Sequence, residues 1–311
     1  MDSDAKSLTS KDWTEILTAT LSIKHENPQN TYLKKIDEIL LKVAVDKSRE
    51  HKFYFADGVA AFLNYFSRSC QITGQKQFLS KIIEELKWHE SFIEYYSDKS
   101  DLKIDFTLIS GLTGLLLALC HVKEIGIDSS FIDTNILEGS LYIYKNGLEI
   151  DTAENQFSFY PTYTNPNKNQ VWLENVLNFT QGDLNEVLLF YKVADLFSLE
   201  KYYKVAKNIG FFTTTRKTYE QTKIKDSSFS KGAAGLTNYY GSLFKMTKQP
   251  QYLVAKLFWA KQTIEFLNKE MAKEYYKSKE FDLMDGLLGV ILTLDDLNTS
   301  SDPIWTRSLL L

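Results

Sequence analysis

The chain has little cysteine, little proline and no excess of basic residues. Two of its 311 residues are Cys, Cys70 and Cys120, and five are Pro. Two cysteines provide no disulfide framework, so we expect a reducing, cytoplasmic location. Lys and Arg total 36 against 40 Asp and Glu, for a net charge of −4. This balance gives no basic footprint for a nucleic-acid partner.

The chain also lacks an apolar segment of membrane-spanning length. Its longest apolar stretch, 108–122, is interrupted by Ser110, Gly111, Thr113 and Gly114, and it is shorter than the roughly 20 residues that a spanning helix needs. The first residues, Met-Asp-Ser-Asp-Ala-Lys, do not have the basic and then apolar layout of a signal peptide. We therefore predict no membrane span.

What the chain does contain is a fivefold repeat. Five stretches each place a polar residue before a glycine and a mostly small, apolar run after it, and the glycines are separated by 53, 71, 50 and 54 residues. A period near 50 residues is typical of repeat architectures. The five glycines are Gly58, Gly111, Gly182, Gly232 and Gly286.

Each glycine starts an apolar run of helix length, at 58–70, 111–123, 182–197, 232–247 and 286–297. Amphipathic segments with helical periodicity follow in most repeats, for example over 75–97 and 249–272. The pattern predicts an all-α fold built from pairs of one inner and one outer helix. Glycine at the start of each inner helix allows close backbone approach and an unrestricted φ.

The regular period favours a single domain over 1–311. Within it, we expect a loose N-terminal leader over 1–27 and an amphipathic helix over about 28–47. The segment 148–178 mixes aromatic residues, Pro and Asn, and it is predicted to be a long loop or a degenerate repeat.

Three of the motifs, in order, resemble those of the lanthionine synthetase C family, the LanC-like proteins. The segment 179–184 resembles the family's Trp-Cys-Tyr-Gly-Asp-Leu-like string, 229–236 resembles its Leu-Cys-His-Gly-x-Ala-Gly string, and 283–290 resembles its closing repeat. The resemblance covers about 30–311. It implies an α/α toroid of helical hairpins whose inner helices begin at Gly-containing motifs, and a role in the modification of lanthipeptide-type ribosomal peptides.

The resemblance also identifies where a zinc site would lie. In that family a Cys and a later Cys-His pair bind zinc, which activates a cysteine thiolate of the peptide, and a nearby His transfers protons. The matching positions here are Thr180, Ser230 and Lys231, and Ser110 matches the His if the Gly111 repeat is its counterpart. A hydroxyl is a poor zinc ligand and an ammonium has no free lone pair. We therefore predict no zinc and no other cofactor.

A relocated metal site is a second interpretation. Cys120 and His121 are adjacent near the end of the second inner helix, and Cys70 occupies a comparable place in the first. Tetrahedral zinc needs three or four converging ligands, so the simpler interpretation is two buried thiols and a hydrogen-bonded imidazole.

The residue before each glycine is predicted to face the shared axis at a central mouth. A functional interpretation is a charged cluster in which Lys231 takes the place of the metal's charge and pairs with Asp57 or Asp285. The alternative is helix N-capping, which Asp and Ser favour. The five residues are Asp57, Ser110, Gln181, Lys231 and Asp285.

Three functions remain open from the sequence. The first is a LanC-like protein that binds a peptide or a peptide-modifying partner enzyme without closing thioether rings. The second is an active enzyme, either a cyclase with an altered site or a glycoside hydrolase that uses Asp57 and Asp285 as acid and base across about 5–9 Å. The third is a helical-repeat interaction module with purely structural motifs. Fold alone does not choose among them, and the resemblance favours the first.

Overall fold

The computed structural model of the chain describes residues 9–56, 58–89, 92, 104–127, 129–165, 168–297 and 304–311. No helix in these ranges is long and apolar enough to cross a membrane. The helices are α1 (Ser10–Glu26), α2 (Thr31–Arg49), α3 (Val59–Thr73), α4 (Gln77–Leu86), α5 (Leu112–Glu124), α6 (Ser130–Lys145), α7 (Leu184–Phe197), α8 (Glu200–Thr213), α9 (Tyr219–Thr222), α10 (Ala233–Thr247), α11 (Pro250–Met271), α12 (Leu287–Asp295) and α13 (Ile304–Ser308).

Five helices begin just after the motif glycines and form the inner layer. Every residue of α3 from Val59 to Cys70, and of α5 from Leu112 to Val122, is buried. By contrast, α2 and α8 bury only one stripe of residues. Since a helix that is buried on most sides lies inside the core, α3, α5, α7 and α10 are inner helices. α12 buries only Gly289, Val290 and Thr293, and we assign it to the inner layer because it follows the fifth motif glycine and packs against α10. The predicted helix pairs and all-α fold are confirmed.

The inner helices follow one another around a ring. α3 packs against α5, α5 against α7, and α10 against α12, while the Tyr239 hydroxyl on α10 donates to Asn185 Oδ1 on α7. α1 and α13 join the ring at its first inner helix. The hydroxyls of Thr18 and Ser308 lie 2.7 Å apart, and Asn64 Nδ2 on α3 donates to the Ser308 carbonyl at 2.8 Å.

The predicted loose leader over 1–27 is wrong for the residues from Thr9 onward. Thr9 and Asp12 form a reciprocal capping box that starts α1. Trp13, Leu17 and Leu21 are buried, because their spacing of four places them on one face of the helix. This face packs against α3 and α13. The amphipathic helix expected at about 28–47 is present as α2.

The described part of 148–178 is a loop with a small sheet and contains no second helix pair. Its strands are β2 (Tyr163–Asn165) and β3 (Gln170–Trp172), and β1 (Ile104–Asp105) comes from the loop before α5. The three strands pair antiparallel in the order β1-β2-β3, with Ile104 opposite Thr164 and Thr164 opposite Val171. This insertion explains the long spacing between the second and third glycines.

Close backbone approach explains the motif glycines, whereas unrestricted φ does not. Gly58, Gly111, Gly232 and Gly286 have φ between −110° and −112°, which other residues also adopt. Only Gly182, at φ 108°, needs the glycine region. A Cβ at Gly111 would lie 2.5 Å from the Asp105 carbonyl oxygen. The predicted close approach is confirmed, and the predicted φ is wrong at four of the five sites.

Candidate functional site at the mouth of the ring

The loops that precede the inner helices are joined to one another at one end of the ring. We call the segments 52–56, 104–110, 174–181, 224–231 and 276–285 the mouth loops. Backbone hydrogen bonds connect three neighbouring pairs: Ala56 donates to Ile109 (2.7 Å), Leu108 to Thr180 (3.1 Å) and Ser230 to Met284 (2.8 Å). The rings of Phe179 and Phe229 connect a fourth pair, with centroids 4.7 Å apart. These contacts join the five loops to one another, while the orientation of the residues before the glycines toward a shared axis stays a prediction.

Side chains inside each mouth loop fix its shape. Asn178 Oδ1 accepts from the backbone N–H groups of Thr180 (2.9 Å) and Gln181 (3.0 Å). Asp282 Oδ1 accepts likewise from Met284 and Asp285, at 2.9 and 3.1 Å. The sequence reasoning missed both acceptors, although each lies four residues before a motif glycine. An Asn or Asp that caps nearby N–H groups is the usual device for such turns.

The positions that match the family's zinc ligands do not form a zinc site. The half-buried Thr180 hydroxyl donates to Asn178 Oδ1 at 2.9 Å, and the buried Ser230 hydroxyl donates to the Asp285 carboxylate. Lys231 is exposed. The donor set is two neutral hydroxyls already engaged in hydrogen bonds and one solvated ammonium, which does not suit zinc.

The predicted pairing of Lys231 with Asp285 is wrong. Among the described residues Lys231 has no ion pair, because the ammonium is in solvent and the Asp285 carboxylate accepts from Ser230 instead. Asp57 lies outside the described residues, so its part in the mouth stays a prediction.

The other predicted mouth residues are also held within their own loops. Ser110 Oγ donates to Asp105 Oδ2 at 2.6 Å, and Gln181 Nε2 donates to Glu174 Oε2 at 3.0 Å. These contacts hold each side chain inside its own loop, and they are not helix caps. The N-caps of α5 and α12 are Gly111 and Gly286, and neither helix has a side-chain cap hydrogen bond. The predicted N-capping is therefore wrong at Ser110 and Asp285.

Two buried acidic residues, Asp183 and Glu186, lie beneath the mouth and were not predicted from the sequence. The Asp183 carboxylate accepts a hydrogen bond from Arg216 Nη1 at 3.0 Å, and both of these side chains are fully buried. Burial raises the pKa of Asp183 to about 6, and the Arg216 charge opposes this shift. One turn further along α7, burial and then the Asp183 charge raise the pKa of Glu186 well above its usual range. The sequence signal that could have indicated these groups is the presence of Asp183 and Glu186 at the start of a mostly apolar run.

Glu186 has one oxygen with no hydrogen-bond partner among the described residues. Its Oε1 lies 3.2 Å from the Thr113 hydroxyl, while Oε2 is buried and has no such partner. Together with Gln181, Thr107 and Thr162, Glu186 lines a cavity of about 10 Å³, which is the space that one water molecule needs. A raised pKa favours the neutral form of the carboxyl, which can donate a hydrogen bond.

The alternative metal site from Cys70, Cys120 and His121 is not formed. His121 Nδ1 lies 2.8 Å from Asn64 Oδ1, and its Nε2 lies 3.0 Å from Arg68 Nη2, so partners within the core occupy both ring nitrogens. Burial lowers the pKa of His121 and raises the pKa of Cys120 to about 12. The described residues contain no group of three or more His, Cys, Asp or Glu arranged to hold a metal.

Comparisons with known proteins agree with this fold. The family model described as "Lanthionine synthetase C-like protein" matches residues 16–310. Among solved structures, nisin cyclase is similar with a TM-score of 0.75 and 15% identity, over 94% of this chain and 77% of that chain. The likeness shows that the two chains share the α/α toroid fold. A search of curated proteins finds no match.

Proposed function

Because the chain belongs to the lanthionine synthetase C-like family, we propose that it acts in the modification of lanthipeptide-type ribosomal peptides. In this role it binds a peptide, or a peptide-modifying partner enzyme, at the mouth and does not close thioether rings itself. We further propose that it works in the cytoplasm, where Cys70 and Cys120 remain thiols. One observation carries the proposal: the positions that match the family's zinc ligands hold two hydrogen-bonded hydroxyls, Thr180 and Ser230, and an exposed ammonium, Lys231.

Ring closure requires a cysteine thiolate at neutral pH. A free cysteine has a pKa of about 8.5, so only a small fraction is ionised. Thr180 and Ser230 use their hydroxyls to hold the mouth loops, and neither is a thiolate or imidazole that would bind a metal. The exposed Lys231 ammonium is the remaining cation at these three positions. In solvent it stabilises a thiolate only weakly, because water screens the interaction.

The mouth offers several groups for peptide recognition. Ser110, Lys231 and Asp285 are exposed, and Gln181 is partly exposed, so both donors and acceptors face the solvent at this end of the ring. The Phe281 side chain, 87% exposed, extends from the last mouth loop. Exposed aromatic and polar groups together are typical of peptide-binding surfaces.

Incubation with a dehydrated, cysteine-containing peptide tests the proposal. We expect the peptide to bind, measured by fluorescence anisotropy, and to close rings at the spontaneous rate, measured by thiol alkylation and mass spectrometry. Ring closure above that rate, abolished by Lys231→Ala, would establish an active cyclase with an altered site. Absence of binding to both the dehydrated peptide and its unmodified form would refute a peptide-binding role.

Restoring the family's zinc ligands tests whether their loss explains the proposed absence of ring closure. The variant Thr180→Cys, Ser230→Cys, Lys231→His supplies two thiols and an imidazole at the matching positions. We expect it to retain zinc near one equivalent after dialysis, while the parent and the single variant Lys231→His retain little. Stoichiometric zinc in the parent protein would contradict the proposal directly.

The glycoside-hydrolase alternative rests on two carboxylates. Asp57 lies outside the described residues, and the Asp285 carboxylate accepts a hydrogen bond from Ser230. No measured separation supports that chemistry, and the family assignment favours the peptide.

A further inference from the structure

A basic groove with apolar residues runs along the outside of the ring, between α2 and α4. Its volume is about 710 Å³. Four of the residues that line it are lysines, and only one is acidic, although the chain as a whole has a net charge of −4. The charged residues are Lys34, Lys35, Lys42, Lys81 and Glu38.

The four lysines have no ion-pair partners among the described residues, and all four are exposed. Two partly buried lysines elsewhere do form such pairs, Lys192 with Glu124 at 2.5 Å and Lys123 with Asp133 at 2.7 Å. Unpaired like charges around one groove repel one another, and an acidic occupant relieves that repulsion.

Apolar side chains accompany the lysines in the groove. Phe78 is 6% exposed and Leu41 is partly buried, whereas Ile39 is 60% exposed. Ile36 and Tyr32 precede Ile39 at spacings of three and four; they do not line the groove but continue the exposed apolar surface of α2 beyond it. An exposed apolar stripe bordered by charges marks an interaction surface.

The length of the groove suits a short helix. Lys34 and Lys42 are eight residues apart on α2, a distance of about 12 Å at 1.5 Å per residue. A helical ligand with apolar anchors at i, i+3 or i+4, and i+7 spans about 10.5 Å. The recessed position of Phe78 between two helices favours such a ligand over a flat surface.

We propose that the groove between α2 and α4 docks an acidic, amphipathic helical segment of a partner protein or peptide. Its apolar face contacts Ile39, Leu41 and Phe78, and its carboxylates lie beside the four lysines. This docking is independent of whether the mouth binds a peptide.

The test uses a synthetic amphipathic helix with Leu anchors and flanking Glu, labelled for fluorescence anisotropy. We expect it to bind the full-length protein, with affinity falling as salt rises from 50 to 300 mM. A peptide with the same Leu anchors and Lys in place of Glu should not bind. Replacement of the four groove lysines by Gln should weaken binding at least tenfold.

Matched variants separate the groove from general surface charge. Four exposed lysines outside both the groove and the mouth loops, Lys145, Lys248, Lys269 and Lys273, are changed to Gln as a control with the same change in net charge, and binding should stay within twofold. Ile39→Ala should weaken binding several-fold, whereas Leu257→Ala, at a residue with 58% exposure, should not.

Three results would overturn the proposal. The first is no binding, and the second is equal weakening by both lysine sets. The third is lysine-dependent binding to vesicles of anionic phosphatidylglycerol without binding to the peptide, which would assign the surface to a membrane. Circular dichroism of each variant verifies that the fold is retained.

Discussion

Three of the five motifs have a second glycine three residues after the first, namely Gly114, Gly235 and Gly289, and these offer a sharp test of how the inner helices are held. In α10, a Cβ at Gly235 would lie 2.1 Å from the Phe229 carbonyl oxygen and 2.8 Å from Phe179 Cβ. The closest matching approaches at Gly114 and Gly289 are 1.9 and 2.0 Å, again to carbonyl oxygens. Backbone atoms cannot move aside by changing rotamer, so Gly235→Ala must displace the mouth loop from the helix.

The size of the effect follows from two opposing contributions. Ordinary contact begins at 3.4 Å, so the Phe229 carbonyl would have to move by about 1.3 Å. Adding a methyl group to a packed core costs about 1–3 kcal/mol and occasionally more, and a rigid backbone contact belongs to the upper part of that range. Alanine regains about 1 kcal/mol of helix propensity. We expect the free energy of unfolding to fall by about 2 kcal/mol.

Gly241 in the same helix is the matched control. Its added Cβ would meet nothing closer than Lys256 Cδ at 3.6 Å, so Gly241→Ala should raise the free energy of unfolding by about 0.5–1 kcal/mol through propensity alone. Urea unfolding followed by circular dichroism at 222 nm measures both. A Gly235→Ala midpoint at or above the parent value would refute the close-approach explanation.

Three further predictions concern buried groups. The pKa of Glu186 is higher in the folded protein than the 4.5 of the unfolded chain, so this carboxyl lowers the free energy of unfolding as pH rises above that value. Glu186→Gln should therefore stabilise the protein at pH 7 and much less at pH 4. A difference in urea midpoint that does not change with pH would contradict this. The Lys24 ammonium lies 2.6 Å from the Asp37 carboxylate in the core, so Lys24→Met should lower the free energy of unfolding by about 3–5 kcal/mol. The double variant Lys24→Met, Asp37→Leu should recover most of that loss in the same urea experiment. Equal losses in the single and double variants would count against the importance of the ion pair. The Trp305 side chain is 6% exposed and donates a hydrogen bond to Asp296 at 3.1 Å. Trp305→Ala should lower the free energy of unfolding by about 3–5 kcal/mol and speed proteolysis of the C-terminal segment. An unchanged cleavage rate would show that Trp305 does not hold this segment in place.

The inner helices could be predicted from the sequence because their signal is local. Each needs a glycine where a loop carbonyl presses against its first turn, and an apolar run follows at once. The predicted run 232–247 corresponds to α10 (Ala233–Thr247), and 111–123 corresponds to α5 (Leu112–Glu124). The chemistry that starts the helix is thus contained within about twenty residues of sequence.

The N-terminal helix was missed because its partners are distant in sequence. α1 contacts α13, and Thr18 meets Ser308 across 290 positions. Within its own segment, the apolar stripe is interrupted by threonines, and nothing local shows what would cover it. The same reason hid the Asp183–Arg216 pair, since 33 residues separate the carboxylate from its cation.

The hydrogen-bond partners of the candidate site residues could not be predicted from the sequence. Ser110, Gln181 and Lys231 do belong to the mouth loops, yet the sequence did not reveal that Ser110 is held by Asp105 or that Gln181 is held by Glu174. Hydrogen-bond partners depend on loop conformation, which turn residues restrict but do not determine.

The same contacts make the zinc-restoration experiment interpretable. Thr180→Cys removes one hydroxyl donor to Asn178, but that amide oxygen still accepts two backbone N–H groups, so the turn keeps its main support. Ser230→Cys releases the Asp285 carboxylate, which is exposed and can be hydrated instead. Lys231 is itself exposed, so replacement by His leaves no cavity. None of the three changes breaks a buried ion pair, and we expect a folded variant. If that variant stays folded and still retains no zinc, the mouth geometry, rather than the lost ligands alone, separates this chain from a metal-dependent cyclase.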